Sequence, residues 1–97
     1  MVHKANRPTV HDMRAMKARG EKISMLYVTA LDEAAAADAA GIHMLSIESR
    51  FFSPEMREAA ARCFVQVGLP FGPYGRLATA EDYLRAAHRV MTIGGDC

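Results

Sequence analysis

Glu48 and Ser49 are the residues best placed for chemistry, because a carboxylate and a hydroxyl follow directly on an apolar run. That run predicts a strand over 42–48, which puts both side chains at its carboxyl end. A carboxylate that ends an apolar strand is costly unless it binds a ligand or reaches solvent. The alternatives are that water or Arg50 satisfies Glu48, and that Ser49 is an ordinary turn hydroxyl.

Four other places carry reactive groups, and each has a structural explanation as well. Asp32 begins an alanine-rich segment, where it is more readily a helix cap than a catalytic acid. His43 and Cys63 lie at the other end of their strands, as a surface histidine and a buried small hydrophobe. The glycine-rich stretch 72–76 could contact an anion through Arg76, but without a Gly-Lys-Ser/Thr sequence it is a weak signal.

Capping signals and glycines divide the chain into elements. Thr9 and Asp12 have the capping-box spacing that starts a helix. The same spacing recurs at Thr79 and Asp82, and Ser53 precedes a proline as a third helix start. Short apolar runs of strand length lie between these signals. The pattern predicts helices over 9–19, 33–40, 54–62 and 79–91, and strands over 23–29, 42–48 and 63–67.

Apolar strands alternate with helices, so the expected fold class is α/β: a parallel βα repeat with about three strands and four helices. A TIM barrel needs eight such units and about 250 residues, and a flavodoxin-like sheet about five strands. Gly94 ends the last helix where a fourth strand should begin. We therefore expect a fragment of a longer protein, or a piece that completes itself by association; a compact three-layer domain is the alternative.

Composition excludes several classes of protein. The chain has 97 residues, is 51% hydrophobic and has a net charge of +1, which is ordinary for a globular domain. Its apolar runs are too short for a membrane span, and its two cysteines cannot build a disulfide framework. These features, with no secretory leader pattern, predict a cytoplasmic protein. Six basic and two acidic residues precede Ile23, yet no nucleic-acid motif accompanies them, so nucleic-acid binding is a minor alternative.

An ordered set of short motifs carries a family resemblance. The motifs are Arg7 to Lys17 (RPTVHDMRAMK), Thr29 to Asp32 (TALD), Ala40 to Ile42 (AGI), Ile47 to Ser49 (IES) and Leu69 to Phe71 (LPF). In this order they resemble the amino-terminal third of the ketopantoate hydroxymethyltransferase (3-methyl-2-oxobutanoate hydroxymethyltransferase) family. The resemblance spans nearly the whole chain. It implies that residues 1–97 are part of a TIM-barrel domain of the phosphoenolpyruvate/pyruvate type, with a helix at 9–19 followed by three βα units.

The resemblance also implies a reaction. In that family, which serves pantothenate biosynthesis, Mg²⁺ chelates an α-keto acid and stabilises its enolate, which attacks the one-carbon unit of methylenetetrahydrofolate. A hard cation of this kind takes carboxylate oxygens, which a (βα)₈ barrel presents at the carboxyl ends of its strands. By position, Glu48 is the expected metal ligand and Ser49 the expected donor to the substrate carboxylate. No catalytic residue is assigned.

Two positions depart from the family's pattern. Glu48 stands where the family has an aspartate, and Gly68 replaces a second aspartate before Leu-Pro-Phe. The segment between the second and third strands is also much shorter than the family's. We therefore expect a diverged relative of the hydroxymethyltransferases, inactive as this segment alone, that forms or breaks a C–C bond of an α-keto acid. The alternative is a non-catalytic barrel piece that acts by assembly, as a homo-oligomer or with a complementary chain.

Overall fold

The fold was analysed in a computed structural model, which describes residues 6–70 and 77–97. The described part contains three parallel strands, four α-helices and one short 3-10 helix. In chain order these are α1 (Val10–Ala18), β1 (Met25–Tyr27), α2 (Leu31–Ala39), β2 (Met44–Glu48), the 3-10 helix (Ser49–Phe51), α3 (Pro54–Ala59), β3 (Phe64–Gly68) and α4 (Ala80–Ile93). The predicted βα repeat is confirmed. The glycine-rich stretch 72–76, with Arg76, lies outside the described residues.

The strands form one parallel sheet in sequential order, β1-β2-β3. The register pairs Tyr27 with Ser46, and Glu48 with Gly68. Sequential parallel strands joined by right-handed crossovers carry their helices on one face of the sheet. The buried residues agree with this arrangement, because members of α2, α3 and α4 cluster with alternate residues of β2 and β3. The remaining residues of each strand, such as Tyr27, Ser46 and Glu48, face the opposite side of the sheet.

The core on the helical face is small and made mainly of aliphatic side chains. Leu45 and Ile47 of β2, with Val65 of β3, are at most 1% exposed. The helices place small residues against them, which lets the backbones approach closely. The small residues are Ala34 and Ala37 of α2 and Ala60, the C-cap of α3; Met56 of α3 and Val90 of α4 complete the helical part of the core. Helix α1 contributes no buried residue, and its Val10 is exposed.

The capping signals at Thr9, Ser53 and Thr79 start helices as predicted. Thr9 accepts a hydrogen bond from the Asp12 backbone N–H, and the Asp12 carboxylate accepts one in return from the Thr9 N–H at 2.8 Å. The same reciprocal pair joins Thr79 and Asp82 at α4. Ser53 accepts a hydrogen bond from Met56 N–H at 3.1 Å and starts α3. These caps are local, which is why they could be identified from spacing alone.

Several element ends differ from the predicted ones. Helix α3 ends at Ala59 rather than near residue 62, and β1 has three residues instead of seven. Helix α4 continues to Ile93, where Gly94 adopts a left-handed conformation (φ 117°) that closes it. Strand lengths follow hydrogen-bond partners on the neighbouring strand, which an apolar run does not reveal.

The segment after α4 turns back alongside β3. Asp96 N–H donates to Val65 O at 2.9 Å, and Val67 N–H donates to Cys97 O at 2.8 Å. Cys97 N–H also donates to Val65 O at 3.3 Å, so Cys97 is bonded to two alternate residues of β3, as parallel neighbours are. The segment after α4 thus runs beside β3, while the sheet of the described residues has three strands.

Among the described residues, no helix has the length and hydrophobicity needed to span a bilayer.

Candidate functional site

One residue from each strand contributes to the carboxyl end of the sheet. Glu48 ends β2, Gly68 ends β3 in register with it, and Tyr27 ends β1 beside Ser46. Because side chains alternate along a strand, Ser46 and Glu48 share the sheet face opposite the helical core, and Tyr27 lies on that face too. The topology thus brings together a carboxylate, a phenol and an open backbone position.

Glu48 is held by a cation that follows it in the chain. Arg50 Nε lies 2.5 Å from Glu48 Oε2, and the Glu48 side chain is 43% exposed. The ion pair with Arg50, followed by the neighbouring Tyr27 phenol, lowers the pKa of Glu48 from its ordinary value. The Glu48 carboxylate is therefore charged at neutral pH and already has a positive partner. The contact with Arg50, one of the alternatives that the sequence left open, is present.

A short turn positions Arg50. Residues Ser49–Phe51 form the 3-10 helix, which is closed by a hydrogen bond from Phe52 N–H to Ser49 O at 3.2 Å. The Arg50 guanidinium lies over the Phe51 ring, 4.6 Å from its centroid. Stacking of this kind is a favourable cation–π contact. The guanidinium is thus oriented from two sides, by a carboxylate and by an aromatic face.

Tyr27 is a residue of the site that the sequence analysis missed. Desolvation, followed by interaction with the Glu48 carboxylate, raises the pKa of Tyr27. The phenol is therefore a proton-bearing donor at neutral pH. Its strand was recognised from the sequence, but its place beside Glu48 depends on the register between β1 and β2. A strict alternation of polar and apolar residues along both strands could have indicated which face Tyr27 occupies. The run around Tyr27 is continuously apolar and shows no such alternation.

Ser49 lies at the same end of the sheet as Glu48, as predicted. It is half-buried and is the first residue of the 3-10 helix. The role of its hydroxyl in binding a substrate carboxylate remains a prediction.

Asp32 does not cap α2, which corrects the expectation from the sequence. Helix α2 begins at Leu31, two residues before the predicted start at 33, and its N-cap Ala30 makes no side-chain cap hydrogen bond. Instead Glu33 Oε1 accepts from the Thr29 backbone N–H at 2.8 Å and from the Thr29 hydroxyl at 3.1 Å. These two hydrogen bonds lower the pKa of Glu33. A long side chain within the first turn can reach back to the preceding strand end, which the shorter Asp32 does not do.

His43 and Cys63 lie at the opposite end of the sheet, as expected. His43 Nδ1 accepts a hydrogen bond from Ser24 N–H at 3.1 Å and lies 2.9 Å from the Ser24 hydroxyl. The Cys63 thiol is buried, contacts Ile42 O at 3.2 Å, and has its pKa raised to about 11, chiefly by desolvation and then by Asp38. Both residues therefore hold strand ends in place and do not face Glu48.

The donors at the strand ends do not by themselves fit a magnesium ion. Within residues 6–70 and 77–97 no three His, Cys, Asp or Glu side chains are grouped so that they could hold a metal. Glu48 is the one carboxylate on its strand end, and Gly68 opposite it has no side-chain oxygen. Mg²⁺ requires near-octahedral oxygen coordination, usually with one or two carboxylates and several waters. A site here would need ligands from elsewhere, and Glu48 would have to exchange Arg50 for the metal.

The chain is similar to one characterised class of enzyme. It is 30% identical to the 3-methyl-2-oxobutanoate hydroxymethyltransferase of Cytophaga hutchinsonii over 107 residues, an alignment that covers 90% of this chain and 39% of the relative. The chain thus spans about two fifths of that relative's length. No protein-family model matches the chain. The similarity supports a distant relationship to this transferase.

Proposed function

We propose that this chain forms part of a (βα)₈ TIM barrel. The sequential order of three parallel strands supports this, because doubly wound sheets reverse their strand order and cover both faces with helices. A barrel arc has its helices on one face, as the core of this chain does. The hydrogen bonds from Asp96 and Cys97 to β3 continue the sheet in the same sequential direction.

The function that we propose is that of a diverged hydroxymethyltransferase-like protein acting on an α-keto acid, with methylenetetrahydrofolate as the one-carbon donor if the relative's activity is retained. The observation that carries it is the 30% identity to a hydroxymethyltransferase over nine tenths of this chain. The position of Glu48 and Ser49 at a strand's carboxyl end supports it, because barrel enzymes build their active sites there. In this proposal the Ser49 hydroxyl donates to the substrate carboxylate.

A role of Glu48 as a ligand of Mg²⁺ is what the family resemblance implies. It needs donors in addition to those of the described residues, so we derive no step through a metal. What the chain's own residues can do is bind and orient: Ser49 and Tyr27 offer hydroxyl groups beside a charged Glu48–Arg50 pair.

A binding experiment tests the proposed substrate class. Titration of the 97-residue chain with 3-methyl-2-oxobutanoate, followed by amide NMR shifts, is expected to perturb residues at the ends of β1, β2 and β3. The Ser49→Ala variant should bind several-fold more weakly, because one hydroxyl donor is lost. Thr92→Ala, on an exposed face of α4, is the matched control and should bind as the parent does. Shifts confined to other surfaces would refute the proposal.

The alternative function is assembly without catalysis, and one observation favours it specifically. The edge strand β1 exposes all three of its residues, with Met25 50%, Leu26 44% and Tyr27 53% exposed. Parallel sheets are normally covered, and an open apolar edge invites pairing. A second copy of this chain or a complementary chain would cover it.

Light scattering measures the mass of the protein as it elutes from a size-exclusion column, which distinguishes an assembly from a monomer. Assembly predicts that the parent has a mass above that of one chain. The mass should fall to that of one chain in Leu26→Glu and should stay unchanged in the control Leu84→Glu on α4. Leu84 is 71% exposed and lies away from the β1 edge, so a general effect of added charge would appear in both variants. A monomeric parent would remove this alternative.

A further inference from the structure

We infer that Arg50, rather than a divalent cation, supplies the positive charge at the carboxyl end of β2, and that its guanidinium binds the carboxylate of a small organic acid. The inference deepens the proposed function, on which it rests only for the identity of that acid. It starts from a mismatch: among the described residues no three His, Cys, Asp or Glu side chains are grouped, whereas a magnesium ion requires an oxygen-rich set of ligands.

The guanidinium already neutralises Glu48. Arg50 Nε donates a charge-assisted hydrogen bond to Glu48 Oε2. A divalent cation approaching Glu48 would meet the fixed positive charge of Arg50 and would have to displace it. Across the sheet, Gly68 provides no second carboxylate to compensate for that repulsion.

The geometry of Arg50 leaves donors for a ligand. A guanidinium has five N–H groups, and the contact to Glu48 uses the one on Nε. The side chain is 72% exposed, so the two terminal amino groups are accessible, and together they form a planar fork that matches a carboxylate. The Phe51 ring under the guanidinium and the Glu48 carboxylate at its side fix the direction of that fork. Preorganisation of this kind lowers the entropy lost on binding.

The strand end opposite Glu48 is uncrowded among the described residues. A Cβ atom at Gly68 would meet one described atom within 4 Å, Ile47 O at 4.0 Å. The Glu48–Gly68 register pair therefore leaves a gap at the strand ends, where a larger residue would fill it. The Ser49 hydroxyl follows Glu48 directly and can add a hydrogen bond to the bound carboxylate.

The test measures binding of two acids to the full 97-residue chain by amide NMR titration. The acids are 3-methyl-2-oxobutanoate and isobutyrate, which keeps the carboxylate and lacks the keto group. Each is titrated once with EDTA and once with Mg²⁺. We expect 3-methyl-2-oxobutanoate to bind equally in both conditions and to lose about tenfold affinity in Arg50→Gln, since a charge-assisted pair disappears. Arg50→Lys should recover little of the lost affinity, because lysine keeps the positive charge but lacks the paired N–H donors of a guanidinium.

A matched control and the separate outcomes make the result unambiguous. Arg89→Gln removes another exposed arginine, on α4, and should leave binding unchanged. Binding that requires Mg²⁺ and survives Arg50→Gln would overturn the inference and keep the proposed function. Equal, Arg50-dependent binding of both acids would support the inference and count against a keto-acid function. If neither acid binds in either condition, the inference is overturned.

Discussion

Arg57 and Asp96 form a buried ion pair, with Arg57 Nη1 3.0 Å from Asp96 Oδ2 and the arginine side chain wholly buried. The guanidinium also donates to three backbone carbonyls, at Gly94, Ala60 and Cys63. Helix α3, the start of β3 and the segment after α4 are therefore fastened to one side chain. Desolvation and the nearby Arg7 lower the pKa of Arg57, and Asp96 opposes that shift.

Asp96 has further partners of its own. It accepts hydrogen bonds from the Val65 backbone N–H at 2.9 Å and from Arg7 Nε at 3.1 Å. The segment before α1 is thereby attached to the same cluster. These contacts lie near the amino end of β3, at the end of the sheet away from Glu48.

The first prediction concerns this ion pair. Replacing Arg57 with Met leaves Asp96 buried without its main cation, and such a loss typically costs about 3–5 kcal/mol of unfolding free energy. We expect urea denaturation to show a loss of this size, or an unfolded variant. Asp96→Asn, which keeps an acceptor for Val65 N–H, should be destabilised less. The exposed pair Arg85–Glu81 is the control: Arg85→Met should change stability by about 0–1 kcal/mol. Equal effects of the two arginine substitutions would contradict the structure.

The second prediction contrasts two glycines. A Cβ at Gly95 would lie 2.6 Å from Val90 Cγ1 and 3.2 Å from Val67 Cγ2, whereas a Cβ at Gly68 would come no closer than 4.0 Å to a described atom outside its chain neighbours. Gly95→Ala should therefore lose about 1–3 kcal/mol of stability through overpacking. Gly68→Ala should leave the urea midpoint nearly unchanged. A greater loss at Gly68 would mean that the segment after α4 does not pack on β3 as described.

The third prediction concerns the two thiols. Because burial raises the pKa of Cys63 to about 11, only about one in a thousand of these thiols is ionised at pH 8. Cys97 is exposed. A disulfide reagent should label Cys97 at least about 100-fold faster than Cys63 in the folded protein. In concentrated urea the two rates should converge, which separates the effect of burial from any effect of neighbouring sequence. Similar rates without denaturant would show that Cys63 is accessible.

The fourth prediction concerns acid sensitivity at the start of α4. Hydrogen bonds from the backbone N–H groups of Ala78 and Thr79, and then from the Thr79 hydroxyl, lower the pKa of Asp82. A carboxylate whose folded pKa is depressed contributes stability above its unfolded value, about 3.9, and loses that contribution as pH falls through the folded value. Helical circular dichroism should decrease as pH falls below about 4. Asp82→Asn should weaken the helix at neutral pH and reduce this acid transition; an unaltered transition would assign it to other carboxylates.

The fifth prediction restores an acid opposite Glu48. Paired residues on neighbouring strands lie about 4.8 Å apart, close enough for two carboxylates to share a cation. Gly68→Asp should therefore give measurable Mn²⁺ or Mg²⁺ binding by calorimetry where the parent shows little. Adding Arg50→Gln should strengthen it further, because a competing positive charge is removed. Gly68→Asn, which has the same shape without the charge, should bind no better than the parent.

The sequence by itself determined the local features of this protein. The capping boxes at Thr9 and Thr79, and the Ser53 cap before Pro54, start helices through hydrogen bonds that span three residues. The alternation of apolar runs with helices likewise gave the parallel βα repeat. Local hydrogen bonds and periodicity are written in neighbouring residues, so they can be recognised without any knowledge of the fold. Local signals were insufficient at Asp32, which was predicted to cap α2. The neighbouring Glu33 instead accepts the hydrogen bond from Thr29 N–H just after β1.

Only the tertiary structure decided which distant residues meet. The register between strands places Glu48 opposite Gly68 and brings Tyr27 to the same face. The Arg57–Asp96 pair joins residues 39 positions apart, and nothing in their surroundings along the chain marks them as partners. Such contacts depend on how the helices pack on one face of the sheet, and a shift of one residue would turn every strand side chain to the other face. The composition of the candidate site is therefore a consequence of packing.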